Sequence, residues 1–397
     1  VAGALALVLG RPHPAGPPAT PAPAPDRPVE LDAVRIVAVG DVMMHHDVQA
    51  SARQAEGGLQ DLWTEVTPLL RGADLAFANL ETPVAPRTGE PGRPFQFNGP
   101  EGLPRALRAS GFTVLALANN HAYDQGREGL AETLERVRAA GLEAVGAGPT
   151  RDQAEAPRIL EVHGIRVAFL GFTALFNVNL NRRSDEPWVC PLDPDRAVAA
   201  VRRARALADA VVVSLHWGVE YRHDPAPAQR DLAGRLAEAG ADLILGHHPH
   251  VLQPVEMLER GGRRTLVAYS LGNFVSNQDR VYQAGPEGGD SRDGVALQCR
   301  LVRERLPDGQ VRVRVAEPRC EPLWTENNWR DFTAGRARRR EIRVVPVNAA
   351  LASLRADLAR PGGGDPDPAD RRQVRLRTLE ARRDRAGAVL GRAFLEP

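Results

Sequence analysis

Short apolar runs closed by polar residues recur along the chain from Val34: VRIVAVG, ADLAFANL, FTVLALAN, LEAVGAG, IRVAFLGFTAL, DAVVVSLHW and ADLILGHH. A short run that stays apolar instead of alternating predicts a buried strand. Between the runs lie amphipathic stretches such as GREGLAETLERVRAAG and PAQRDLAGRLAEAG. The second starts at Pro225 or Pro227, where proline suits a first helical turn, and stops at Gly240. Strand alternating with helix predicts α/β architecture with a largely parallel sheet. The pattern then changes. RTLVAYSLGNFV, GVALQCRLVRE and GQVRVRVAEP read as strands with little helix between them. The expectation is a second, more antiparallel sheet packed on the first.

The two ends differ from this body. VAGALALVLG, residues 1–10, is too short to span a bilayer, which takes about 20 residues. It suits the end of a signal peptide or of a membrane anchor. Residues 11–32 are rich in Pro and Ala and predict an extended linker. From Arg11 to Pro28, at about 3.1 Å per residue, such a linker reaches roughly 50 Å. The body is read as one domain over 33–322, followed by an Arg-rich extension over 323–397. Within the extension, GGGDPDPA reads as a joint, and Asp370 to Arg392 as a solvated surface helix with few apolar residues for docking.

Composition narrows the functional classes. The chain carries 51 basic and 50 acidic residues, and every basic one is Arg. A formal charge of +1 gives no strong global field, so nucleic acid is excluded as a general partner. The three cysteines, Cys190, Cys299 and Cys320, exclude a disulfide framework and a thiolate metal site. A single Cys299–Cys320 bridge remains open if their strands pair.

Candidate chemistry gathers at the carboxyl ends of the predicted strands. Three of the ten histidines, His247, His248 and His250, crowd into GHHPH after one apolar run. Unpartnered imidazole is costly to bury, so a core has no use for them. Asp41 follows the first strand, with His45 and His46 beyond it. Asn79 and Glu81 follow the second. Asn119, Asn120, His121 and Asp124 follow the third, and His216, Glu220 and His223 a later one. In open α/β sheets ligand sites form at these ends. Imidazole, carboxylate and amide oxygen without thiolate suit Mn²⁺, Fe or Zn²⁺. The donors outnumber the needs of one ion, which favours two divalent ions sharing a carboxylate, the arrangement that activates water and clamps oxygens in phosphoester hydrolysis. No Gly-x-Ser-x-Gly elbow and no P-loop is present.

VAVGDVMM, ANLETPV, FNGP, ALANNHAYDQGREGL, GAG, SLHWGVEY, GADLILGHHPHVLQPVE and YSLGNFV resemble, in order, the motifs of the CapA/PgsA family of poly-γ-glutamate capsule biosynthesis proteins. That family belongs to the calcineurin-like metallophosphoesterases. The resemblance covers about Val34 to Cys299. It implies a four-layer α/β/β/α metallophosphatase-like sandwich with a dinuclear centre at the strand ends. It assigns Asp41, Glu81, Asn120, His216, His248 and His250 to metal, the last motif being His248-Pro249-His250 or starting one residue earlier. It assigns His121 to catalysis, with Asp124 its expected orienter; Asn79 and Glu220 are expected on substrate, and Asn273 is either a hairpin-turn residue or a rim residue bonded to substrate or to a metal ligand's second nitrogen. The sequence departs from the superfamily pattern where Met43 replaces a histidine two residues after Asp41, and where Glu81 stands for a bridging Asp.

The expected function is a metal-dependent hydrolase of a phosphoester or related bond, linked to poly-γ-glutamate synthesis or export. The alternative is a non-catalytic component that binds an acidic polymer within a membrane synthesis or export complex. The N-terminal pattern places either one outside the cytoplasmic membrane, anchored or secreted.

Overall fold

The computed structural model describes residues 27–278, 290–359 and 366–395. The apolar stub and most of the expected linker therefore lie outside the described residues. Two sheets face each other. The first contains β1 (Val29–Val42), β2 (Leu75–Leu80), β3 (Val114–Ala116), β4 (Glu143–Val145), β13 (Asn273–Val275), β14 (Asp293–Arg305), β15 (Val311–Asn327) and β16 (Ile342–Pro346). Its order is β16-β15-β14-β1-β2-β3-β4, with β13 also paired to β1. The second contains β6 (Arg158–Val162), β7 (Ile165–Thr173), β9 (Ala210–His216), β10 (Leu243–His247), β11 (Val255–Arg260) and β12 (Arg263–Ala268), in the order β11-β12-β10-β9-β7-β6. The short β5 (Ala147–Gly148) and β8 (Trp188–Val189) pair with each other.

Side-chain alternation explains why the central strands read as unbroken apolar runs. Ile36 and Ala38 of β1, Leu75 and Phe77 of β2, Val212 of β9, and Leu243 and Leu245 of β10 meet between the sheets. Their neighbours Val37, Val39, Ala76 and Ala78 turn outward onto the helices Leu103–Ala109 and Gly126–Ala139. Val211, Val213 and Ile244 turn onto the helices Pro194–Leu207 and Pro227–Ala239. The layers are thus helix, sheet, sheet, helix, the α/β/β/α sandwich expected. Each fully buried Val, Leu or Ile adds about 1.5–3 kcal/mol relative to exposure. The helix Pro227–Ala239 ends where Gly240 takes φ +108°, a left-handed stop that suits glycine.

Elsewhere the structure differs from the expectation. The late strands do not form a sheet of their own. β14 pairs antiparallel with β1, and β15 and β16 follow outward, so they extend the first sheet. The reason is the length of β1, 14 residues, which offers β14 an edge that β2 leaves unpaired. β1 already starts at Val29, inside the stretch read as linker. β15 runs through position 322, and the residues beyond supply β16 and the helices Val347–Leu358 and Pro366–Leu390. That last helix is not solvated on all sides: Leu379, Ala386 and Leu390 are buried. The strands of Cys299 and Cys320 do pair, but the register sets Cys320 opposite Leu297, and both thiols are buried and free.

The link between β12 and β13 matters most for the site. Residues Tyr269 to Gly272 cross from the second sheet to the first. Leu271 N–H donates to the Gly246 carbonyl at 3.1 Å, and Asp41 N–H to the Gly272 carbonyl at 3.1 Å. The crossing chain lies so close that a Cβ on Gly246 would fall 1.9 Å from the Tyr269 oxygen, and one on Gly40 1.9 Å from the Gly272 oxygen. Both glycines are needed for this approach, and together they pin the carboxyl ends of β1 and β10 to one point.

Candidate metal centre

Asn79, His216 and His247 continue the alternation that sends Leu75 and Phe77, Val212, and Leu243 and Leu245 between the sheets. At the carboxyl ends of β2, β9 and β10 those positions turn polar, and they meet Asp41 from β1 and Glu81 just past β2. After β10 the chain turns sharply, with His248 at φ +96° and His250 at φ +57°. Left-handed backbone in a non-glycine residue costs on the order of 1–3 kcal/mol and collects at functional sites. Here it brings both histidines back toward the carboxylates.

The donors form overlapping groups. Ligand atoms of Glu81, His216 and His248 lie within 4.8 Å of one another, as do those of Asp41, Glu81 and His250, and those of Glu220, His248 and His250. Glu81 belongs to two groups. Its Oε1 lies 3.7 Å from His216 Nε2 and 3.7 Å from His250 Nε2. That is too long for hydrogen bonds and suits donors about 2.0–2.2 Å from a shared ion. Asn120 Oδ1 is 2.8 Å from His216 Nε2. The six residues expected to share a centre are therefore neighbours in space.

Burial controls their charge. It works to raise Asp41, but hydrogen bonds with His247 and His250 outweigh it and hold that carboxyl well below the usual range. Burial, reinforced by the charge of Asp41, pushes Glu81 well above it. Burial and then His248 push His216 well down, and burial and then His250 push His248 down to about 4. Neutral imidazoles keep the lone pairs that a cation needs. Among the described residues, two of the donors also lack a hydrogen-bond partner: Glu81 Oε1 and His248 Nδ1, both buried. Buried polar atoms are rarely left so. A divalent cation fits this donor set and would account for both atoms.

The supporting residues fall into place around it. Asn79, expected on substrate, is wholly buried; its amide donates to Asp41 Oδ1 at 2.8 Å and Glu81 Oε2 at 3.2 Å, fixing two carboxylates. Asn273, brought in by the crossing segment, sets its Oδ1 3.1 Å from His250 Nδ1, which leaves Nε2 turned to Glu81. Glu220 is exposed at the lip, beside His248 and His250. His121 Nδ1 lies 2.7 Å from Asp124 Oδ2, and the same oxygen accepts the Phe97 N–H at 2.6 Å. His121, Glu220 and His250 line one cavity of about 930 Å³.

The chain matches the family model "Bacterial capsule synthesis protein PGA_cap" over residues 35–278. It belongs to that family. The matched span contains every residue placed in the donor groups above. The chain is 37% identical over 243 residues to "PGA biosynthesis protein CapA" of Bacillus subtilis strain 168, covering 60% of this chain and 62% of that protein. It is 35% identical over 267 residues to "Capsule biosynthesis protein CapA" of Bacillus anthracis, covering 65% and 64%. It thus spans less than two thirds of the length of these curated relatives. Among solved structures it resembles the calcineurin-like phosphoesterase YfkN from Bacillus subtilis at 14% identity and TM-score 0.41, over 88% of this chain and 99% of that one. It also resembles a 5'-nucleotidase precursor from Thermus thermophilus at 15% identity and TM-score 0.43, over 72% and 54%.

Within this chain, three roles escape a reading by motif. His247 lies 3.1 Å from Asp41 Oδ1, with its ring against Phe77, so it steadies that carboxylate. Asn119 ties Asn79 to the backbone of Leu80. Asn177, just past β7, contacts both Asn120 and His121. Its only signal is a place after a strand end, which asparagine shares with ordinary turns.

Proposed function

We propose that this chain is a metal-dependent hydrolase of a phosphoester or related bond, acting in poly-γ-glutamate capsule synthesis or export. The observation that carries it is the unpartnered Glu81 Oε1, shared by two donor groups beside a buried His–Asp pair. Asp41, Glu81, Asn120, His216, His248 and His250 would hold two divalent ions of the Mn, Fe or Zn type. Such ions supply Lewis acidity toward phosphoryl oxygen and activate water. Asp124 holds His121 through Nδ1, so Nε2 is the nitrogen that delivers a proton to the leaving oxygen. Asn177 limits the swing of that ring. The capsule polymer enters through the relatives' names, which speak of PGA and capsule biosynthesis; the export machinery and a site of action outside the cytoplasmic membrane are part of the proposal.

Leaving-group dependence tests the chemistry. General acid catalysis is worth roughly 10²–10⁴ in rate. His121→Ala should keep its metal and lose about that much on a phosphoester with a poor leaving group, but far less on a nitrophenyl ester. Equal losses would remove His121 as the acid. Bound metal with no turnover of any phosphoester would favour the polymer-binding alternative. For location, the full-length gene is fused to a reporter active only after export; a silent export fusion beside an active cytoplasmic one would reject it.

A further inference from the structure

The superfamily pattern has a histidine two residues after Asp41, where this chain has Met43, buried. The next histidines are His45 and His46, and neither joins a donor group. His46 is exposed and turns to Asp47. His45 turns the other way. Its Nδ1 accepts a hydrogen bond from the backbone N–H of Asn277 at 3.2 Å. A backbone N–H can only donate, so Nδ1 carries the lone pair and the proton of the neutral ring sits on Nε2. The Met43 backbone also lies within hydrogen-bond reach of the ring. The ring packs edge-on against Phe97, with centroids 5.0 Å apart, and the Phe97 ring lies 4.4 Å from that of His121. His45, His121 and His250 line the same cavity. One phenyl ring thus spaces an N–H donor of fixed tautomer from the acid pair, at the mouth of the donor cluster.

We propose that His45 is a substrate-binding residue whose Nε2–H donates to an anionic oxygen of the bound oxyacid group, and that it is not a metal ligand. This rests on the hydrolase reading and adds to it a contact on the substrate. Burial, helped by His250 and His121, pushes the imidazole down to about 4, in keeping with a ring that stays neutral and keeps its donor. A neutral donor suits a place beside cations, where a charged ring would be repelled.

The test uses the full-length, metal-loaded protein with inorganic phosphate as probe, comparing wild type, His45→Leu and His45→Gln. Elemental analysis gives metal per chain, and titration calorimetry gives phosphate affinity. All three proteins should hold the same metal. His45→Leu should bind phosphate about ten- to a hundredfold more weakly, the loss of one hydrogen bond to a charged group. His45→Gln keeps an N–H donor and should stay within a few-fold of wild type, which a purely structural role would not produce. If His45→Leu is too unstable to load, nitrogen spectra of histidine-labelled wild type decide: a proton on Nε2, perturbed by phosphate, supports the inference, and a proton on Nδ1 overturns it. Equal phosphate affinity in wild type and His45→Leu overturns it and leaves the hydrolase reading standing. Metal loss in both variants makes His45 a ligand and also overturns it. Wild type that holds metal, turns over phosphoesters and ignores phosphate overturns the inference alone; wild type that binds phosphate and hydrolyses nothing removes the hydrolase reading while the comparison of variants still stands.

Discussion

His248 and His250 sit two residues apart on strained backbone; each joins a different group around Glu81, and the two share a third with Glu220. Removing either one takes a ligand from a group that includes a buried carboxylate. His248→Ala and His250→Ala should therefore lose most of their bound metal while retaining secondary structure. Elemental analysis and circular dichroism check this; full metal content in both would reassign the last motif. A cation that binds only the folded form should also raise the melting temperature of wild type, by RT ln(1 + [L]/Kd) in free energy. The same addition should do little for His248→Ala. Asn79 belongs to this scale too. It donates to two carboxylates at once, a task invisible unless Asp41 and Glu81 are known to be neighbours.

At the scale of elements, the decisive one is the crossing from β12 to β13. It bonds to β10 at Gly246 and to β1 at Asp41, and it delivers Asn273 to His250. Gly246→Ala places a methyl within 1.9 Å of a backbone oxygen, which has no rotamer to escape into. Overpacking of this kind costs roughly 1–3 kcal/mol or more. The variant should melt lower and bind less metal, because the ends of β1 and β10 are forced apart. A variant with wild-type melting and metal content would contradict the close approach. A second element device joins the helix Pro366–Leu390 to the loop after β9: Asp290 accepts from Arg385 and pairs with His223 at 3.0 Å. The hydrogen bond to Asp290 raises His223, so its contribution is fully present below the unfolded value of 6.5 and fades as pH rises through the folded one. Burial opposes charge on Asp290, yet His223 and Arg385 hold it down, so its contribution holds above 3.8 and is lost on acidification. His223→Gln should thus lower the melting temperature most between about pH 4 and 6.5, and least near pH 9. Thermal melts at three pH values check this.

For the whole molecule, the C-terminal stretch is part of the fold. β16 lies at one edge of the first sheet, and the final helix buries Leu379, Ala386 and Leu390. Arg382 reaches Asp293, whose carboxyl burial pushes up to about 7. Ending the chain after Leu358 would expose the faces under two leucines, each worth about 1.5–3 kcal/mol. The truncated protein should unfold at clearly lower urea than the full chain. An unchanged midpoint would show that the helix does not dock in solution. Among the described residues no helix is long and apolar enough to cross a membrane.

Much of this was legible in the sequence alone. Parallel strands covered on both faces must be apolar at every position, so VRIVAVG, DAVVVSLHW and ADLILGHH declare themselves without any partner in view. The polar residues that end them stand out against that background, which is why the candidates could be gathered by position; the family resemblance then singled out Asp41, Glu81, Asn120, His216, His248 and His250 among them. Only tertiary structure decided which strand pairs with which. The edge that β1 offers β14, the path of residues 269–272 between the sheets, the amide of Asn79 between two carboxylates, and the turn of His45 onto Asn277 all join positions distant in the chain. Local periodicity sets which face a side chain takes; the neighbour it meets there depends on how the sheets stack, and no short stretch of sequence carries that information.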